Sequence, residues 1–279
     1  MKIYLHLATC IIPLMLFGHS GDGSYSNQKT CCILDNSYLT VGANYTYANL
    51  EVGGEPSFNG SLGGLQALYE YQPKNNFYGG VELAWRDGNT QGSYGNRHFI
   101  DVNTNERLGY TWCCDQWLCT VYTGFGFRFM SHHLTPSTSA PTSFLDSYFP
   151  PFLSDSTSLR FNYYEFYFPI GIKTEYAFSP NFNLGLQLVW SLQAFSTVRI
   201  DTLGGAFWEL QNTFGNIHVE LPLTYTLECD KRFSFTLSPF YERWQDGLST
   251  AETSGGTALG LPENTYNFWG VNFNFTYLF

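Results

Sequence analysis

The sequence predicts an all-β fold, a ten-stranded antiparallel up-and-down transmembrane β-barrel with short periplasmic turns and five long external loops. Three observations support it. Ten segments alternate apolar and polar residues, the connections between them alternate in length, and 13% of residues are charged while 19% are aromatic. Soluble domains carry about 25% charged residues, whereas a barrel in a bilayer turns apolar side chains outward and polar ones inward.

The last predicted strand, 266–279, has a clear alternating pattern. Side chains two positions apart share a face of a strand. One face is large and apolar, with Trp269, Val271, Phe273, Phe275, Tyr277 and Phe279. The other is mostly small and polar, with Phe268, Gly270, Asn272, Asn274, Thr276 and Leu278. A strand needs about 9–11 residues to cross a bilayer, so this segment is long enough to span one.

The same alternation predicts the other nine strands at 38–48, 61–72, 77–86, 105–114, 118–130, 160–176, 182–195, 214–227 and 233–244. Long loops are predicted at 49–60, 87–104, 131–159, 196–213 and 246–265. An even number of strands places both chain termini beside the short turns, on the periplasmic side of a bacterial outer membrane. Pro169, Pro222 and Pro239 fall inside strands. A closed barrel has no free edge to receive a proline, so we expect bulges there.

The N-terminus predicts a secretion signal. Lys2 precedes a mainly apolar stretch, 3–17, which is followed by small residues, and we place cleavage near Ser20. Pro13 interrupts this run, which is shorter than the about 20 residues of a membrane-spanning helix. The expected organisation is therefore a signal peptide at 1–20, a periplasmic segment at 21–37 and an outer-membrane barrel at 38–279.

The alternative fold is a soluble β-sandwich or lipocalin-like barrel with its apolar face inside. Charged residues would then make up about a quarter to a third of the outer surface, but the polar face here is largely Gly, Ser, Thr, Asn and Gln. A small soluble barrel also could not enclose 25 Phe, 20 Tyr and 7 Trp. The formal net charge of −10, without a basic patch, argues against binding to nucleic acid.

The predicted inward faces carry charges of both signs, which are costly in a narrow interior unless paired. The expected network comprises Glu82, Arg86, Arg107, Arg128, Glu165, His218, Glu220 and Glu242, with Glu70, Lys173 and Glu175 also inward. It could be a salt-bridged plug or the lining of a narrow pore. Eight-stranded barrels are filled by side chains and open porins need about 16 strands. Ten strands therefore favour the plug, with a small diffusion channel as the alternative.

The nearest approach to a catalytic motif is His218-Val219-Glu220. Omptins, a family of outer-membrane proteases, are also ten-stranded barrels, and this chain resembles them in architecture only. Their pattern uses an Asp pair and an Asp-x-His pair, whereas here the order is reversed and no Asp pair matches. We therefore predict no catalytic residue and no enzyme, with an omptin-like barrel enzyme as the remote alternative. His132-His133 falls in a predicted loop without a further ligand at suitable spacing, so we expect no metal site and no cofactor.

Six cysteines remain once Cys10 is removed with the signal, and the topology places all of them at the periplasmic end. They are Cys31, Cys32, Cys113, Cys114, Cys119 and Cys229. Oxidising conditions there permit disulfides within or between molecules. Adjacent cysteines on an extended chain point in opposite directions, so each adjacent pair is expected to reach two partners. We predict disulfide cross-linking at the periplasmic rim.

These cysteines, the aromatic-rich barrel pattern and the terminal Phe279 resemble the outer-membrane proteins of chlamydiae and their protochlamydial relatives. The resemblance implies a disulfide-stiffened envelope with porins or surface antigens, and it assigns no functional residue. An aromatic last residue also resembles the signature that barrel-assembly machinery recognises. We expect a surface-exposed or envelope-structural role, with outer-membrane lipid, lipopolysaccharide, that machinery and disulfide-linked envelope proteins as partners. Loop 131–159, with Tyr148, Phe149 and Phe152, is the candidate for contact with a host surface or for capping the lumen.

Overall fold

The computed structural model describes residues 37–53, 55–73, 75–92, 95–114, 116–136, 158–201, 206–249, 252–254, 257–259 and 261–279. The predicted signal peptide and most of the predicted periplasmic segment lie outside these ranges. The strands are β1 (Ser37–Val52), β2 (Glu55–Tyr71), β3 (Asn76–Gly92), β4 (Gly95–Cys114), β5 (Trp117–Pro136), β6 (Leu159–Ala177), β7 (Phe182–Ile200), β8 (Ala206–Glu209), β9 (Asn216–Glu220), β10 (Leu223–Thr226), β11 (Phe233–Asp246), β12 (Glu252–Ser254), β13 (Thr257–Leu259) and β14 (Asn264–Leu278).

The described strands form an antiparallel sheet that closes on itself. β1 to β7 pair in sequence, and β14 and β11 continue the sheet from β1. β8, β9 and β10 all pair with β7, and β9 and β10 also pair with β11, which closes the barrel. These three short strands together occupy one position in the wall, so the barrel has ten positions, as the sequence predicted. β12 and β13 form a separate hairpin.

One end of the barrel, here called the turn end, carries the short connections from β2 to β3, β4 to β5, β6 to β7 and β10 to β11. Both ends of the wall meet there, because the Phe279 N–H donates to the Ser37 carbonyl at 2.9 Å. We call the opposite end the loop end.

At the loop end the strands run further than the sequence pattern predicted. β4 and β5 each have 20 residues, about twice the length needed to cross a bilayer. The predicted loops 49–60 and 87–104 are therefore mostly strand. Gly53 follows the end of β1, and its φ of 61° is one that glycine adopts readily. His132 and His133, predicted to lie in a loop, belong to β5.

The three prolines within predicted strands have different outcomes. Pro222 lies in the break between β9 and β10, where the missing N–H interrupts the ladder. At Pro169 the β5–β6 ladder is interrupted, because Phe168 and Pro169 have no ladder partner on β5, while Ile170 and Tyr167 on either side are paired. Pro239 stays paired with Val271 inside β11, so no bulge forms there.

The outer surface of the barrel carries a continuous apolar belt. It consists of exposed side chains that the sequence assigned to the outward face, among them Leu39, Val41, Leu65, Val81, Leu83, Leu108, Val121, Phe168, Ile170, Leu186, Leu188, Leu237 and Phe273. Towards the loop end the outward positions become polar, as at Asn49, Glu51, Asp87 and His133. In the described part of the chain no helix is both long and apolar enough to cross a membrane.

The interior at the loop end is packed with apolar side chains that face the barrel axis from most of the wall. This loop-end core includes Leu50, Phe58, Leu62, Phe99, Met130, Leu134, Leu159, Val198, Ile200, Trp208, Trp244, Tyr266 and Phe268, all buried. Its aromatic rings pack at centroid distances of about 6 Å, as for Phe99 with Tyr266 and with Phe268. The loop-end half of the lumen is therefore filled by side chains.

Candidate functional site in the barrel lumen

The structure places all eight residues of the predicted network on the inner face of the barrel. Their ion pairs and hydrogen bonds divide them into three groups. The first group, an ion cluster, lies in the middle of the lumen. The second lies nearer the turn end, and the third lies at the loop end.

The ion cluster consists of Arg86, Asp101, Arg128 and Glu242. Arg128 donates from Nε and Nη2 to the two Asp101 oxygens at 2.9 and 2.8 Å, and from Nη1 to Glu242 Oε1 at 2.6 Å. Arg86 bridges the same two acids, with Nε 2.9 Å from Asp101 Oδ2 and Nη2 3.0 Å from Glu242 Oε2. Because Glu242 is on β11, the cluster ties β3, β4 and β5 to the opposite wall.

Aromatic rings cover both guanidinium groups of the ion cluster. Arg86 lies 4.4 Å from the centroid of Phe268, and Arg128 lies 4.4 Å from that of Trp244. Such stacking favours arginine over lysine at a buried ion pair. The cluster therefore joins directly to the loop-end core.

His218 and Glu220 extend the ion cluster along β9. His218 Nε2 lies 3.3 Å from Glu220 and Nδ1 lies 3.8 Å from Glu242. Glu220 also accepts a hydrogen bond from Asn272 Nδ2 at 3.0 Å. Both side chains are held by neighbours in mid-lumen, an arrangement typical of a structural hydrogen-bond network.

A second group lies nearer the turn end. Lys173 Nζ is 3.2 Å from both Glu70 and Glu175, and Tyr78 donates to Glu70 at 2.5 Å. Arg107 pairs with Glu82 on the neighbouring strand. The sequence had assigned these charges to the inner face.

The third group lies at the loop end, beyond the apolar belt. Glu165, which lies opposite Arg128 in the β5–β6 register, accepts hydrogen bonds from Trp244 Nε1 at 2.6 Å and Gln193 Nε2 at 2.8 Å. Asp246 accepts from the Tyr266 hydroxyl at 2.8 Å. Burial raises the pKa of Asp246 above its usual range.

Arg97 and His132 complete the loop-end group. Arg97 Nη1 lies 3.1 Å from His132 Nδ1, and its guanidinium covers the ring of Phe58 at 4.2 Å. Burial first, and then the charges of Arg97 and Arg128, lower the pKa of His132 well below its usual range. His132 is therefore neutral near pH 7 and accepts the hydrogen bond from Arg97.

The predicted network lacked Asp101, Arg97, His132 and Asp246, because the sequence pattern placed them in loops. Asp101 is the most consequential, because it accepts from both arginines of the ion cluster. The alternation of Ile100 and Val102 with Phe99 and Asp101 was the available signal that β4 begins earlier.

The described cysteines all lie at the turn end, as predicted. Cys114, Cys119 and Cys229 are free thiols, and Cys114 and Cys229 are exposed. Cys113 is not among these free thiols, while Cys31 and Cys32 lie outside the described residues. The described residues contain no group of three or more His, Cys, Asp or Glu side chains that could hold a metal ion.

No protein-family model matches the chain, and no curated protein does. Among solved structures, the outer membrane protease OmpT of Escherichia coli aligns with a TM-score of 0.54 at 12% identity, covering 90% of this chain and 99% of that one. The chain has the fold of an outer-membrane β-barrel.

Two further solved barrels align more loosely. The translocator domain of the autotransporter NalP from Neisseria meningitidis has a TM-score of 0.45 at 9% identity, covering 88% of this chain and 90% of that one. The Ralstonia pickettii toluene transporter TbuX has a TM-score of 0.43 at 8% identity, covering 88% and 90%. A likeness at this level of identity shows the barrel fold alone and leaves the role of this chain open.

Proposed function

We propose that this protein is an integral barrel of a bacterial outer membrane with a closed lumen, and that it has an envelope-structural, surface-displaying role. Placement in the membrane is supported by the outer apolar belt and by the change in polarity at its upper border. Below that border apolar side chains point outward, and above it Leu50 and Leu134 point inward while Asn49 and His133 point outward. That inversion is what a wall leaving hydrocarbon for water requires.

The observation that carries the closed lumen is the loop-end core together with the ion cluster beneath it. Both lie across the barrel axis, and their side chains are nearly or fully excluded from solvent. A solute would have to displace packed aromatic rings and a buried set of four paired charges. This is why a structural role is supported better than the alternative of a small diffusion channel.

Conductance in planar lipid bilayers tests this proposal. The purified protein should insert without producing unitary channels, and Arg107→Ala and Glu220→Gln should behave as the wild type does. Stable unitary channels whose conductance changes in either variant would instead establish a pore through the lumen.

We propose the turn end as the periplasmic end and the site of disulfide cross-linking. The exposed thiols of Cys114 and Cys229 support links between molecules, and Cys113 is the candidate for a link with Cys31 or Cys32. Non-reducing gels of the outer-membrane fraction should show species that collapse to monomer on reduction. A monomer with six free thiols would refute cross-linking.

The proposed partners follow from this placement. They are outer-membrane lipid and lipopolysaccharide around the belt, barrel-assembly machinery, and envelope proteins linked through cysteine. Segment 137–157, which contains Tyr148, Phe149 and Phe152, lies outside the described residues and remains the candidate for host contact.

We assign no catalytic role to His218 or Glu220, because each already has a partner in the lumen. His218 contacts Glu242 of the ion cluster, and Glu220 accepts a hydrogen bond from Asn272.

A further inference from the structure

The lumen towards the turn end differs from the loop-end core, because one side of it is polar and half-buried rather than apolar and closed. Hydroxyl and amide side chains face the axis there from β10, β11 and β14. They are Thr224, Thr226, Ser234, Thr236, Asn274 and Thr276, each of intermediate exposure. Neighbouring pairs share hydrogen bonds, as between the hydroxyls of Thr224 and Thr236 at 2.8 Å.

Solvent contact in this polar region extends to the middle of the barrel. The side chain of Glu82 is 25% exposed and that of His218, across the lumen, is 26% exposed. Above them Arg128 in the ion cluster is 0% exposed. The accessible region is therefore a blind vestibule, which begins at the turn end and stops at the ion cluster.

The deep end of this vestibule contains two buried polar atoms without a partner among the described residues, Asn105 Oδ1 and Arg107 Nε. Both belong to inward side chains of β4. Asn105 lies opposite Glu82 in the β3–β4 register, and Arg107 pairs with the Glu82 carboxylate. A buried polar atom left unpaired costs free energy, so a ligand group or a water that reached either atom would be stabilised there.

Hydroxyl groups match each of these unmet atoms, because a hydroxyl can donate to Asn105 Oδ1 or accept from Arg107 Nε–H. The hydroxyls and amides along β10, β11 and β14 offer further donors and acceptors of the same kind. An anionic ligand is disfavoured by the excess negative charge of the Lys173 group, in which two carboxylates, Glu70 and Glu175, share one ammonium. We infer that the vestibule binds a small neutral polyhydroxylated molecule of the mono- or disaccharide class. Entry from the periplasm rests on the orientation in the proposed function, but binding itself does not.

Cysteine labelling of folded protein in a zwitterionic detergent without a sugar head group tests access, independently of orientation in a membrane. Thr236→Cys places a thiol in the vestibule, and Leu237→Cys, the next residue of β11, places a matched thiol on the outer belt. Both lie in the tryptic peptide 233–243, which contains no native cysteine. A charged thiol reagent should label Thr236→Cys readily and Leu237→Cys slowly, and failure to label Thr236→Cys would overturn the inference.

Protection by ligand tests binding. Glucose, galactose, N-acetylglucosamine and maltose are added during labelling of Thr236→Cys, with glucuronate as the anionic comparison. At least one neutral sugar should slow labelling saturably, about tenfold at ten times its half-protecting concentration, and glucuronate should protect less. Asn105→Leu should abolish protection while leaving the unprotected labelling rate unchanged. Free labelling that no neutral sugar slows would show a hydrated vestibule without a binding site, and would overturn the inference.

Discussion

At the scale of single residues, Arg128 holds the lumen together more than any other charged side chain of the ion cluster. Its guanidinium makes three hydrogen bonds to two carboxylates on opposite walls and is fully buried. Two buried acids are compensated mainly by this residue and by Arg86. Removing one partner of a buried ion pair leaves an uncompensated charge, which is more costly than the pair is stabilising.

Arg128→Ala should therefore destabilise the barrel by roughly 3–5 kcal/mol, measured by urea unfolding in lipid vesicles. Arg232 is the matched control, because it pairs with Asp230 in an exposed turn, and exposed pairs contribute little. Arg232→Ala should leave the unfolding midpoint unchanged. An Arg128→Ala barrel as stable as the wild type would show that the ion cluster is dispensable.

At the scale of the strand, alternation predicted where each wall element crosses the membrane but not where it ends. Within the belt, large apolar residues alternate outward, as along β7 from Leu184 to Trp190. Beyond the belt the rule reverses, and Leu50 and Val52 point inward while Glu51 points outward. A search for apolar-outward alternation stops at that reversal, which is why the predicted strands were too short at the loop end.

The orientation of β7 gives a direct test at this scale. Leu188 lies on the outer belt, whereas Gln187 faces inward and donates to the Tyr122 hydroxyl at 2.9 Å. Leu188→Arg should cost roughly 2–4 kcal/mol of stability in a bilayer, because it places a charge in hydrocarbon. Gln187→Ala should cost about 1 kcal/mol, as for the loss of one hydrogen bond. Urea titration in vesicles measures both, and a larger cost for Gln187→Ala would mean that the faces are reversed.

At the scale of the whole molecule, the barrel combines two interiors in one wall. The half towards the loop end is packed like a soluble protein, and the half towards the turn end is polar and partly accessible to solvent. The sequence predicted the inward charges, since alternation alone assigns Arg86, Arg128 and Glu242 to one face. It could not predict their division into separate groups, because pairing across the lumen depends on the height of each strand in the barrel. Asp101 shows this, as it bridges both arginines from a segment that the sequence assigned to a loop.

The seven tryptophans test the central claim, that the apolar side chains face lipid and enclose a packed lumen. Trp85, Trp112, Trp117, Trp190 and Trp269 are exposed on the outer surface, whereas Trp208 and Trp244 are buried inside. Fluorescence quenching by lipids with brominated acyl chains distinguishes the two sets. Wild-type emission should be strongly quenched, and a variant with the five outer tryptophans changed to Phe should be nearly unaffected. Strong quenching of that variant, or a wild type that brominated lipid does not quench, would contradict this account of the barrel.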